Sequence, residues 1–211
     1  MTESLLRPVS SIERTTSTIM KALLLLVPFL LFSCNVLQPV KDTSVTYLLD
    51  PAIPDRTPSS ATPAVAINRP SLPSYLDRQQ IVTRVKAGEL KMSSYHLWAE
   101  PLDTGIARVV SMNLTRLTGS SNIQPINNFV TLEYTSLVEL RITQFEPADD
   151  GRLVLACTWK VQPVHGRPLQ PRTFRTEVPF TPSADKTDLS PRIAAMNEAL
   201  ARLSRVIAGS L

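Results

Sequence analysis

Val138-Glu139-Leu140-Arg141-Ile142 and, beyond the sequence Asp149-Asp150-Gly151, Leu153-Val154-Leu155-Ala156-Cys157-Thr158-Trp159-Lys160-Val161 decide the fold. In both runs an apolar residue falls on every second position, the period at which a β-strand turns one side to a core and the other to water. Asp-Asp-Gly between them is turn chemistry, so the pair predicts an antiparallel hairpin. A loop with Pro163, Gly166 and Pro168 then leads to a strand near Arg172 to Val178, which extends the hairpin into a meander. Upstream, Phe129 to Tyr134 reads as either a strand or a loop.

A sheet with one apolar face needs a cover, and two segments have the right period. From Leu102, apolar residues recur at Ile106, Val109, Val110, Leu114 and Leu117, a helical stripe that should stop at Gly119. Near the end of the chain, Ser190 reads as a helix cap with Pro191 at the first helical position. Ile193, Met196, Leu200, Leu203 and Ile207 follow on one stripe, with Arg192, Asn197, Glu198, Arg202 and Arg205 off it. Short strands are expected at Val45 to Leu49, Ala64 to Ile67, Ile81 to Val85 and Glu89 to Met92. The fold class predicted is α+β, a mostly antiparallel sheet with two amphipathic helices packed on one face, in a single domain over residues 45–211.

The first residues are of another kind. Met20-Lys21 precedes an apolar run from Ala22 to Phe32, which is the layout of a signal peptide over residues 1–33. Such a run is too short for a hydrocarbon core that needs about twenty residues. Leu31-Phe32-Ser33-Cys34 resembles the lipobox of bacterial lipoproteins, so cleavage and lipidation are expected at Cys34. Several acyl chains on that residue anchor firmly where one would be marginal. Met20 with Lys21 makes a better initiator than Met1, and translation is expected to start there. Asn35 stands where an aspartate retains many enteric lipoproteins in the inner membrane, which favours the outer membrane, periplasmic face. Residues 34–44 read as lipidated N-terminus and tether. The prolines Pro51, Pro54, Pro58, Pro63, Pro70 and Pro73 suggest that part of 50–74 is extended tether as well, with Val65-Ala66-Ile67 a short edge strand.

Several functions find no support. Without Arg7, Arg14, Lys21, Glu3 and Glu13, which precede Cys34, 19 basic and 16 acidic residues remain, a net charge of about +3 that is too small and scattered for nucleic acid. Cys157 alternates with buried-type neighbours and reads as a strand residue, and with Cys34 acylated it has no disulfide partner. His96 and His165 are far apart and in no metal-ligand spacing. Glu100 and Asp103 sit beside the first helix, where acidic side chains favour its positive end. No catalytic, metal or cofactor site is expected.

Leu72-Pro73-Ser74-Tyr75-Leu76-Asp77-Arg78-Gln79-Gln80-Ile81-Val82-Thr83-Arg84 resembles the signature of the PqiC family, auxiliary lipoproteins of ABC-type and MCE (mammalian cell entry) transport systems. The resemblance continues in Tyr95 to Leu102, Ile106 to Leu117, Leu140 to Glu146, Leu153 to Val161 and the terminal helix. It implies a noncatalytic subunit of a machine moving phospholipid or another hydrophobic compound between inner and outer membranes. The implied partners are an MCE-domain periplasmic protein, an inner-membrane permease and an ATPase, with this chain a lipid-anchored outer-membrane end, as a homo-oligomeric ring. The alternatives are an envelope scaffold or assembly lipoprotein that conducts no lipid and, behind it, a periplasmic hydrolase. Tyr75, Asp77 and Arg78 follow a proline-rich loop and precede a strand. They read either as a local clasp of the fold or as a partner contact.

Overall fold

The computed structural model describes residues 43–126, 133–167, 169–185 and 187–211, which belong to one compact unit, Thr43–Leu211. The signal peptide, Cys34 and most of the expected strand or loop at 129–134 lie outside the described residues. In chain order the elements are β1 (Val45–Tyr47), β2 (Val65–Ile67), β3 (Gln80–Lys86), β4 (Glu89–Trp98), α1 (Leu102–Thr118), β5 (Ile123–Pro125), β6 (Ser136–Pro147), β7 (Arg152–Pro163), β8 (Arg172–Pro179) and α2 (Ser190–Ala208). The fold is α+β. Its larger sheet runs β5-β2-β6-β7-β8 and its smaller one β1-β4-β3. The long pairings β6–β7, β7–β8 and β3–β4 are antiparallel, while the three-residue strands β1, β2 and β5 pair in parallel.

The meander is the one the alternation predicts. Leu153, Leu155, Cys157, Trp159 and Val161 all turn inward and are nearly inaccessible, as are Val138, Leu140 and Ile142 on β6. The hairpin turn uses Gly151 at φ +81°, and a Cβ there would come within 2.8 Å of the Phe180 carbonyl oxygen. Only glycine accommodates both the left-handed backbone and the close approach. Both helices lie on this sheet and on each other, α1 against β5 and β2, α2 against β6, β7 and β8. Helix α1 ends at Gly119, whose φ of 75° gives the left-handed cap that the sequence indicates. Burial pushes the Cys157 thiol up to about 12, so little of it is the reactive thiolate at neutral pH. Alkylation at pH 8 is therefore expected at least about a hundredfold slower in the native chain than in the unfolded one. Comparable rates, measured by mass spectrometry, would place this thiol at the surface.

Three expectations need correction. The proline-rich stretch is laid along the helices for much of its length, with Leu49 and Ile53 buried. Arg108 Nη2 donates to the Leu49 carbonyl at 2.7 Å, Arg116 Nη1 to that of Ile53 at 2.7 Å, and the amides of Ser59 and Ser60 to that of Gly119 at 2.9 and 3.1 Å. Proline composition marks missing donors, and here arginines supply donors to the strap's carbonyls. Second, Ser190 does not cap α2. Leu189 holds the cap position, and the Asp188 carboxylate accepts the Ser190 amide at 2.9 Å, which holds the Asp188 carboxyl below its usual range. Third, β4 continues from Met92 to Trp98, β5 has no counterpart among the expected strands, and β2 is a buried interior strand between β5 and β6, not an edge strand.

Candidate functional site

An irregularity in β6 creates the site. The β6–β7 pairing shifts register between Ile142 and Gln144, leaving Thr143 as an extra residue whose hydroxyl donates to the Ala156 carbonyl at 3.0 Å. Inward positions 138, 140 and 142 are thereby followed by Phe145, and Glu146 turns to the opposite side of the strand. There the small sheet and the Pro73–Arg78 turn cover it, and its side chain is 0 % exposed.

The carboxylate is fully engaged. Oε1 accepts from Arg84 Nε at 2.7 Å, Arg84 Nη2 at 2.5 Å and Gln144 Nε2 at 3.3 Å. Oε2 accepts from the Tyr75 hydroxyl at 2.9 Å and the Phe145 amide at 3.1 Å. Burial first, and then the Glu146 charge and hydrogen bond, push the Tyr75 phenol up to about 12, while Glu146 raises Arg84 above its ordinary value. The folded chain thus holds the Tyr75 proton more tightly than the unfolded chain. Its contribution to stability is complete below about pH 10 and lost as pH rises through 12. With its lone pairs occupied, Glu146 has no room to take a proton from a substrate. The arrangement is a clasp joining β6 to the turn at Tyr75 and to Arg84 on β3, 71 and 62 residues earlier in the sequence.

The clasp divides the expected trio. Tyr75 spends its hydroxyl inside the fold. Asp77 is exposed, and its carboxylate makes no hydrogen bond or ion pair among the described residues. Arg78 sends Nη1 to Met92 Sδ at 2.8 Å, while its buried Nε has no partner. These two residues edge a cavity of about 240 Å³ that is also lined by Gln79, Trp98, Glu100 and Leu102. The turn itself is fixed by the amides of Leu76 and Asp77 on the Pro73 carbonyl, at 2.9 and 3.3 Å. The structure therefore presents an acid and a base on a rigid mount.

Other polar groups serve local geometry. Glu100 accepts from Arg108 at 2.7 and 2.9 Å, and Asp103 from the Thr104 amide at 2.7 Å. His96 Nε2 meets the Thr187 carbonyl at 2.7 Å; a carbonyl only accepts, so Nε2 carries a proton, while Nδ1 and Ser93 Oγ share a hydrogen bond at 2.6 Å. His165 lies exposed in the β7–β8 loop. Beside the clasp, a cavity of about 490 Å³ draws on Arg84, Lys86 and Arg152. Those cations are matched by Glu146, by Glu89, and by Asp150 with Glu177. Among the described residues no group of three or more His, Cys, Asp or Glu is placed to hold a metal ion, and no helix is long and apolar enough to cross a membrane.

The sequence reading overlooked Glu146 and Arg84 as a site. The available signal was the break in alternation at Thr143-Gln144, followed by one acid between Phe145 and Pro147.

The sequence profile of the ABC-type transport auxiliary lipoprotein component matches residues 47–208. Among solved structures, a protein described only as uncharacterized is similar with a TM-score of 0.62 and 18% identity, over 80% of this chain and 98% of that one. A Xanthomonas campestris protein is similar with a TM-score of 0.57 and 20% identity, over 78% and 93%. At these identities the likeness shows the fold. No curated protein matches the chain in sequence.

Proposed function

The chain belongs to the ABC-type transport auxiliary lipoprotein family, and from that premise we propose that it is the noncatalytic subunit of a system moving phospholipid or another hydrophobic compound between inner and outer membranes. Cys34 carries the acyl anchor, at the periplasmic face of the outer membrane. An MCE-domain protein links it across the periplasm to a permease and an energy-supplying ATPase, and identical copies of the chain assemble into a ring. The observation that supports a binding role is the Pro73–Arg78 turn, held by the Tyr75–Glu146 bond, on which neither Asp77 nor Arg78 has an ion-pair partner among the described residues and the buried Arg78 Nε has no acceptor. Interfaces favour arginine on such mounts, because a pre-ordered side chain loses little entropy on binding.

The test uses the lipidated chain with its MCE-domain protein. Asp77→Ala and Arg78→Ala are expected to leave the melting temperature unchanged and to weaken the complex about thirtyfold or more, since truncating one member of a buried charge pair costs roughly 2 to 5 kcal/mol. Unchanged assembly together with unchanged melting would refute the assignment of this turn.

A further inference from the structure

Among the described residues ten large apolar side chains are exposed. Five of them, Val45, Leu48, Val85, Met92 and Tyr95, belong to the small sheet or directly follow its first strand, and Tyr95 is 61% exposed. Lys91 and the ion pair of Lys86 with Glu89, 3.0 Å apart, stand exposed in the same sheet. A second group, Val164, Leu169, Val206 and Leu211, lies at the other end of the molecule, where Arg172 Nη1 on β8 donates to Ser210 Oγ beyond α2. The Tyr47 hydroxyl accepts the Leu189 amide, so β1 sits at the start of α2. Helix α2 therefore puts about 30 Å between the two groups.

The chain itself distinguishes these ends. Thr43, the first described residue, is two residues before β1, and the nine peptide steps from Cys34 to Thr43 reach at most about 32 Å. A bilayer held by acyl chains on Cys34 is thus present at high effective concentration near the small sheet, where even a weak surface contact is populated. Tyrosine suits the headgroup level, lysine stems lie along apolar surface with the ammonium in water, and anionic lipid attracts them.

We propose that the small sheet rests on the anionic lipid surface that holds the Cys34 acyl chains, with Tyr95 and Met92 at headgroup depth and the Val164–Leu169 loop turned away. This rests on the reading of Cys34 as the anchor.

The experiment uses the full lipidated chain in vesicles of phosphatidylethanolamine with a minor fraction of phosphatidylglycerol. Tyr95→Cys, Met92→Cys and Leu169→Cys are labelled separately with a fluorophore. Cys34 is blocked by acylation and Cys157 is buried, so only the introduced thiol reacts. All three positions are exposed, and native melting is expected. Quenching by headgroup-nitroxide lipid should be roughly threefold or more stronger at positions 95 and 92 than at 169. Equal or reversed quenching in vesicles that still carry the protein overturns the inference and leaves the anchor standing. Protection from quencher with cross-linking between Tyr95→Cys copies overturns it in favour of a contact between copies. Failure to float with the vesicles overturns the anchor reading and the inference together.

Discussion

Arg84→Ala should destabilise the domain by about 3 to 5 kcal/mol, because it strands a carboxylate whose side chain is 0 % exposed. Glu146 keeps only the Tyr75 hydroxyl, the Gln144 amide group and its neighbouring backbone amide, all neutral donors. For a domain of this size the loss corresponds to roughly 10 °C in melting temperature. The diagnostic is the second substitution. Adding Glu146→Gln removes the stranded charge yet leaves a side-chain carbonyl for the Tyr75 hydroxyl, so Arg84→Ala/Glu146→Gln should be more stable than Arg84→Ala alone. The cycle should then show a coupling of about 1 to 3 kcal/mol. Additive losses would mean that the pair contributes no more than two independent surface residues.

Cys34→Ala is expected to abolish acyl labelling and leave the chain unprocessed or detached from membranes. A single acyl chain binds with a constant of only about 10⁴ M⁻¹, so firm anchoring needs several chains, and all of them depend on the one cysteine. The other cysteine offers no substitute, since Cys157 is 4% exposed within β7. Metabolic labelling with a fatty-acid analogue reads the result directly. Label retained by the Cys34→Ala chain would place the lipid elsewhere or remove it from the account.

What the sequence makes legible follows from the range of the interactions concerned. The β6–β7–β8 meander and both helices rest on local periods of two and 3.6 residues, and they can be read off Leu153 to Val161 or Ile193 to Ile207 without knowing any partner. The α1 stop is equally local, because Gly119 supplies its own left-handed cap. Glu146 is different. Its role depends on a bulge at Thr143 and on two residues 62 and 71 positions away, and neither is visible in the alternation of β6. The resemblance nevertheless enclosed the clasp, since Tyr75 and Arg84 both fall in the Leu72–Arg84 motif and Glu146 ends the Leu140–Glu146 stretch. The proline-rich strap misled for the same reason. Composition reports that it lacks donors, whereas its docking is decided by Arg108 and Arg116 on a helix about sixty residues later. At Ser190 the local signal was ambiguous, because Asp188 offers a carboxylate to the same amide.

The bulge turns Glu146 into the junction between the sheets, Glu146 fixes Tyr75, and Tyr75 fixes the turn on which Asp77 and Arg78 stand. Stability and presentation are thus separable: Arg84→Ala should lower both melting and assembly, whereas Arg78→Ala should lower assembly alone.

The most direct test of the central claim is purification of the full-length chain from native membranes in mild detergent, with quantitative mass spectrometry of everything that accompanies it. An MCE-domain protein, a permease and an ATPase are expected in fixed proportion to the lipoprotein, all depleted together by Arg78→Ala. Recovery of the folded, acylated chain without any of those three proteins would contradict that claim.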